Sequence, residues 1–476
     1  MLPPITDSVA DGVGSTPMIR LLPQNKVSVN LLAKLEFANP TGSSKDRLAK
    51  YLLDENEKRF PAIGDKKRTL IIPTSGNLGI SLATLAAKRN DRIIAILPER
   101  TSNDRVSLLK ALGVEILRSP NEVQPEAPES AHSVAAKLAE QLPHAIVLDE
   151  TQLHDLTAYH TLAEEILQQT KMAVDYVFVG VESGATITGI ARYLKSKIPE
   201  VKVIGVVPTD SVVGNTTMTA RSDWKIEDLG NSFVPACLDA TVVDEWIQVS
   251  DKEAYSVARR LIRDQGILGG PSSGAVMAAA MRHADTIVSH TTHTPQSVVV
   301  LNDAAKNYTS TLLSDDWLFG NNLADDLITN ELDYISQSRY RAASVEDLQL
   351  PSAITVKPHV TIAYAEDLMF EHEYSQLPVI RDRKLLGYVS MSGLQEHLKK
   401  GTASPQDPVE KVMFSFKKAG GASKYQVITP DTSLADLAKF FEKNSFAVVT
   451  DAERKWCLGL ATKYDLISFL HRRQFF

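Results

Sequence analysis

Cysteine is nearly absent from this chain. Cys237 and Cys457 are the only two among 476 residues, and no Cys-x-x-Cys occurs. That excludes a disulfide-built scaffold, a cysteine zinc site and a paired redox motif, and it suits a reducing compartment. Long apolar runs are missing too. No uninterrupted stretch would span a bilayer, and the opening Met1 to Asp7 has neither a basic segment nor a long apolar core, so neither a membrane span nor a secretory leader is expected. Basic charge is also in short supply: 51 Lys and Arg stand against 58 Asp and Glu, a net charge of −7, with no Lys/Arg-rich block. Such a balance argues against a nucleic-acid surface. The expectation is a cytosolic protein with neither nucleic acid nor membrane as partner.

What is present is ordinary globular composition, 43% hydrophobic and 23% charged, on a chain long enough for two or three domains. From Thr69 short β-branched runs alternate with helical patterns: Thr69–Ile72, Arg92–Leu97, Val114–Leu117, Ala145–Leu148, Tyr176–Val179 and Val201–Val207, each followed by apolar spacing of helical period. This α/β beat predicts a mostly parallel sheet with helices on both faces, and ligands in such sheets bind beyond the carboxyl ends of the strands. Near Asn330 the pattern breaks into the polar, aperiodic stretch Ile335 to Ser344, read as a linker over 331–347 between a first domain, 1–330, and a tail. The tail holds an approximate repeat. Leu377-Pro-Val-Ile with Leu385 to Leu394 is echoed by Phe446-Ala-Val-Val with Cys457 to Leu466, which predicts two similar modules, 348–405 and 406–476, packed on each other.

Four stretches carry the chemistry. In Asn39-Pro-Thr-Gly-Ser-Ser-Lys45-Asp-Arg47, turn residues run into the apolar spacing Leu48, Tyr51, Leu52, so Lys45 is placed at or just inside a helix N-terminus. The helix dipole disfavours a free cation there, whereas a lysine engaged covalently escapes much of that cost. Pro73-Thr-Ser-Gly-Asn-Leu-Gly-Ile80 follows a strand and opens a helix, so the amides and hydroxyls of Thr74, Ser75, Gly76 and Asn77 can receive a carboxylate. Gly180 to Gly189 and Gly269 to Ala275 are two further glycine-rich openings of helices. Taken singly, each is equally a solvated lysine or a plain capped turn.

Taken together, in this order and at roughly these separations, the four resemble the β-family of pyridoxal-phosphate enzymes (fold type II), as do Gly14 to Arg20 and Leu108 to Ile116. The resemblance covers about residues 10 to 325. The paired tail modules are similar to cystathionine-β-synthase-type (Bateman) modules, and with Ile226 to Pro235 and Leu238 to Trp246 they make the chain look like the eukaryotic cystathionine β-synthases. The resemblance implies pyridoxal 5′-phosphate carried by Lys45, which also acts as the proton-transferring base. Asn77 would hydrogen-bond the cofactor's 3′-oxygen, Ser183, Gly184, Ala185 and Thr186 would hold its phosphate, and Ser272 would face its pyridine nitrogen. Thr74, Ser75, Gly76 and Asn77 would receive an amino-acid substrate. The implied reaction is β-replacement joining L-serine to L-homocysteine, with a cysteine synthase using an activated serine as the near alternative. A homodimer or higher homo-oligomer is implied as well. The long haem-binding extension of animal members is not seen, so no haem is expected. In the tail, Gly459, Thr462 and Asp465 match a Gly-x-x-Thr-x-x-Asp nucleoside turn, whose implied ligand is S-adenosylmethionine; the first copy has Gly387 and Ser390 but Gly393 where the carboxylate belongs. Use of the pair only for dimer contacts or autoinhibition stays open.

The chain departs from the family where the cofactor would sit. Glu182-Ser-Gly-Ala-Thr186 replaces Gly-Thr-Gly-Gly-Thr, Leu78 replaces a threonine, Glu150 and Thr151 replace glutamine and tyrosine, and Asn231 replaces a tyrosine. A carboxylate at about 5 Å from a phosphate repels each unit charge by roughly 3 kcal/mol at an effective dielectric near 20. These departures keep a third reading open, a degenerate paralogue with a binding or regulatory role.

Overall fold

The computed structural model describes residues 5–21, 29–60, 67–74, 76–89, 91–121, 123–214, 224–286, 294–325, 343–372, 374–382, 384–416, 428–441, 444–453 and 456–473. These fall into two compact units, Met1–Leu313 and Ser314–Phe476. The linker expected over 331–347 lies largely on residues outside those described.

The first unit holds two sheets. β1 (Met18–Arg20) and β2 (Asn30–Leu35) pair antiparallel. The chain then leaves for a four-stranded parallel sheet of β3 (Thr69–Pro73), β4 (Arg92–Pro98), β5 (Glu115–Ser119) and β6 (Ala145–Val147), in spatial order β5-β4-β3-β6. It returns as β7 (Tyr176–Gly180), β8 (Lys202–Pro208), β9 (Glu245–Val249) and β10 (Gln296–Leu301), completing a six-stranded sheet of order β1-β2-β10-β7-β8-β9, parallel from β2 onward. Every predicted run becomes a strand, yet the runs divide between two sheets. Local pattern reports that a strand is buried, not which strand it pairs with. Leu70, Ile71 and Ile72 of β3 and Val298 to Leu301 of β10 are buried, as parallel strands covered on both faces must be.

The helices that cover the sheets are α1 (Lys45–Arg59), α2 (Asn77–Leu85), α3 (Asn103–Ala111), α4 (Ala131–Gln141), α5 (His160–Gln169), α6 (Ala185–Lys197), α7 (Asp251–Gln265) and α8 (Pro271–Thr286). Their ends follow sequence. Ser130 caps α4 by accepting from the Ser133 amide at 3.0 Å, and α7 stops at Gly266, whose left-handed backbone ends the helix. One large core joins α1, α2, α5 and α6 to the strands, through Leu48, Leu78, Leu82, Leu162, Ile166 and Ile190.

The second unit begins with the short helix α9 (Asp315–Gly320) and contains the two repeats. The first repeat has α10 (Ile362–Glu371), β11 (Gln376–Arg381), β12 (Lys384–Ser390), α11 (Met391–Lys399) and β13 (Phe414–Ser415). The second has α12 (Leu434–Phe441), β14 (Phe446–Thr450), β15 (Cys457–Thr462) and α13 (Lys463–Arg473). Duplication is visible in the register: Val379 opposes Gly387 and Val449 opposes Gly459, and each hairpin shifts register just after that valine. Each copy has its own core. No helix among the described residues is long and apolar enough to cross a membrane.

Candidate functional site

The carboxyl ends of β2, β3, β7, β8 and β10 lead into the loops that form the site, as the parallel arrangement demands. Lys45 is the first residue of α1, buried, its amide donating to Ser43 Oγ at 3.1 Å. Asn77 opens α2 after β3. After β7, Glu182, Ser183 and Gly184 turn the chain into α6. Gly184 has φ +83°, and a Cβ there would stand 2.5 Å from Leu238 Cβ, so the turn demands glycine twice over. Lys45, Asn77, Glu182, Ser183, Thr186 and Asp228 share one cavity of about 20 Å3, room for about one water.

Lys45, Asn77, Ser183 and Thr74 are each engaged by other groups of the chain. Lys45 Nζ lies 2.5 Å from Glu150 and 3.8 Å from Glu182. Burial alone would lower the lysine pKa, but Glu150, with Tyr159 and Glu182 behind it, outweighs burial and raises it, so Lys45 is held as an ammonium. Asn77 Nδ2 donates to Asp228 at 2.6 Å and to Asp303 at 2.9 Å, while its buried Oδ1 has no hydrogen-bond partner among the described residues. Ser183 Oγ accepts from the Ala185 amide at 3.4 Å. Thr74 Oγ1 accepts from the Gly76 amide at 3.1 Å, within its own turn, and Ser75 lies outside the described residues.

Ser272, like Thr74, Gly76 and Ala185, is not among the residues that line the cavity. Its hydroxyl is 3.3 Å from Asp303 Oδ1, so it reaches Asn77 only through that carboxylate. Of the departures, Leu78 is absorbed by the core, Thr151 donates to Asp149 at 2.7 Å, and Asn231 Oδ1 accepts from the Ser232 amide at 2.9 Å; Glu150 and Glu182 face Lys45.

Sequence reasoning missed a buried cluster beside the cavity. Arg105 donates through Nη1 to Asp228 Oδ1 at 2.9 Å, pairs through Nη2 with Asp228 Oδ2, reaches Asp303 at 3.1 Å and Glu227 at 3.4 Å, and contacts the Tyr308 hydroxyl. Tyr308 in turn donates to Asp303 at 2.5 Å. Burial, reinforced by Asp228, pushes the Asp303 carboxyl up to about 7. Asp228 adopts φ +60°, a backbone that favours glycine. The only trace in sequence is the acidic doublet Glu227-Asp228.

In the second unit Thr462 and Asp465 meet. The Thr462 amide donates to Asp465 Oδ2 at 2.7 Å, and its hydroxyl lies 2.8 Å from the same oxygen and 3.0 Å from Asp316 Oδ1 on α9. In the first copy Ser390 Oγ accepts from the Gly393 amide at 3.1 Å, capping α11 where the second copy uses a carboxylate.

Comparison with known proteins gives the family. The sequence pattern of the family described as pyridoxal-phosphate dependent enzyme matches residues 9–302, and that of the CBS domain matches 345–400 and 422–472. The chain is 39% identical over 480 residues to cystathionine beta-synthase of Dictyostelium discoideum, covering 99% of this chain and 93% of that one. It is 34% identical to cystathionine beta-synthase of Saccharomyces cerevisiae, covering 97% of each. Among solved structures it is similar to an O-acetylserine dependent cystathionine beta-synthase from Helicobacter pylori, with TM-score 0.59 and 32% identity over 65% of this chain and 99% of that one.

Proposed function

Because the chain belongs to the pyridoxal-phosphate dependent enzyme family, whose cystathionine β-synthases it matches over nearly its whole length, we propose that it joins L-serine to L-homocysteine, releasing water and giving L-cystathionine. The observation that carries this reading is the convergence of Lys45, Asn77, Ser183, Gly184 and Thr186 on one cavity at the carboxyl ends of the strands. A fit to pyridoxal phosphate is supported by that same set: a lysine, a buried amide oxygen of Asn77 with no partner among the described residues, and the amides at the head of α6. The carboxylates of Glu150, Glu182 and Asp228 are what such a ligand displaces.

When bound, the cofactor supplies an electron sink for breaking bonds at the substrate's α- and β-carbons. Lys45 holds it and, as a free amine, takes and returns the α-proton. Ser183, Gly184, Ala185 and Thr186 receive the phosphate, Asn77 orients the ring, and the Thr74–Asn77 turn receives the amino-acid carboxylate. Ser272 would meet the ring nitrogen only if Asp303, which it contacts, moved aside; there, as a neutral hydroxyl, it would not hold that nitrogen protonated, which favours loss of the β-substituent over transamination. The chain acts in the cytosol as a homodimer or higher homo-oligomer, with S-adenosylmethionine at Thr462 and Asp465 as the regulatory ligand.

Two other readings rest on specific observations. The likeness to the O-acetylserine dependent structure favours an activated serine as substrate. The Lys45–Glu150 pair favours a member that binds ligands or regulates without turnover. One experiment separates them: visible absorption of the protein and of Lys45→Ala with pyridoxal phosphate, followed by product analysis with serine or O-acetylserine and with homocysteine or sulfide. A lysine-dependent band with cystathionine from serine supports the proposal. Cystathionine or cysteine formed only from O-acetylserine supports the first alternative, and no lysine-dependent band at saturating cofactor sinks the catalytic reading.

A further inference from the structure

We infer that the site is occupied by its own carboxylates, with Glu150, Glu182 and Asp228 serving as internal competitors that the cofactor must displace one by one from Lys45, the phosphate turn and Asn77. The inference rests on the proposed function and concerns how the cofactor is acquired.

Three relationships carry it. Glu150 is itself buried and stands at contact distance from Lys45, so the pair is made inside the protein, where opposite charges are weakly screened. An ammonium has no lone pair with which to attack an aldehyde, so the contact removes the reactive form of the residue. Glu182 immediately precedes Ser183 and Gly184, lines the same cavity, and turns its carboxylate to within 3.8 Å of Lys45. It therefore brings a negative charge both to the lysine and to the cavity at the head of the phosphate turn, where a mobile anion would bind. Asp228 takes the Asn77 amide at 2.6 Å and is held there by both ends of the Arg105 guanidinium. With Glu182 and Asp228 among its lining the cavity has about 20 Å3, room for about one water, so a larger ligand enters only if lining side chains move.

Removing the charges while keeping their shapes tests this. The full-length protein, Glu150→Gln, Glu182→Gln and the double variant are titrated with pyridoxal phosphate by equilibrium dialysis, with the absorption band and Lys45→Ala as control. The double variant is expected to bind at least tenfold more tightly than the unaltered chain, with each single variant in between. Should the double variant not fold, the two single variants carry the test, each expected to bind more tightly than the unaltered chain. Equal affinities, with a lysine-dependent band in all of them, overturn the inference and leave the proposed function standing. Absence of a lysine-dependent band in the unaltered chain and in every variant overturns both.

Discussion

Arg105 and Asp228 meet end to end, Nη1 with Oδ1 and Nη2 with Oδ2, in a place where neither touches solvent appreciably. Removing one partner of such a pair leaves an uncompensated buried charge. Arg105→Met is therefore expected to destabilise the first unit by about 3–5 kcal/mol in urea unfolding, because Asp228, Asp303 and Glu227 would face one another without their shared cation. A loss below about 1 kcal/mol would show that the cluster carries little of the fold's stability.

Acid should loosen the amino-terminal segment through Glu165. This carboxylate accepts from the Ser15 amide at 2.8 Å, from Lys34 at 2.6 Å and from Arg47 at 2.8 Å. Burial alone would raise its pKa, but hydrogen bonds from Arg47 and Lys34 outweigh burial and hold it down at about 2. A carboxylate with a depressed folded pKa stabilises the fold above its unfolded value and loses that contribution as pH falls toward the folded one. Between pH near 4.5 and pH near 2 the chain should lose up to about 3 kcal/mol from this group. Glu165→Gln should flatten that part of the stability profile, measured by urea unfolding at stepped pH.

The two repeats should answer differently to the same change. A Cβ on Gly387 would lie 1.9 Å from the Phe414 carbonyl oxygen, whereas on Gly459 its nearest neighbour is Leu350 Cβ at 3.3 Å. Gly387→Ala is expected to cost about 3 kcal/mol and Gly459→Ala under about 1 kcal/mol. Hydrogen exchange of β12 against β15 would read both, and equal effects would contradict the stated packing.

Ligand binding to the second unit should depend on Asp465 and be opposed by Asp316. Calorimetry with S-adenosylmethionine on the full chain is expected to show at least a tenfold loss for Asp465→Ala, about the worth of one charge-assisted hydrogen bond. Asp316→Ala should bind more tightly than the unaltered protein, since Asp316 accepts the Thr462 hydroxyl that a ribose would need. Unchanged affinity in both variants would remove the nucleoside reading of this turn.

Much of this was legible in sequence where the information is local. Lys45 at the head of a helix, the strand–turn–helix around Asn77 and the duplicated hairpins all follow from turn residues and periodicity within a few positions. What stayed hidden was built from distant residues. Arg105 is 123 positions from Asp228 and 198 from Asp303, so nothing near any of them announces the cluster. Ser272 shows the other limit. Its motif opens α8 after a glycine-rich turn, but Asp303 stands between Ser272 and Asn77, and a motif does not report what a neighbouring loop inserts.

The chain crosses from the six-stranded sheet to the four-stranded one between β2 and β3, and back between β6 and β7. Lys45 lies on the outward crossing and Glu150 on the return. Their contact is thus a clasp across the two straps by which one layer hangs from the other. A group bonded to the lysine nitrogen would act on that clasp directly, so a chemical change at one atom would be felt where the chain passes between the two sheets.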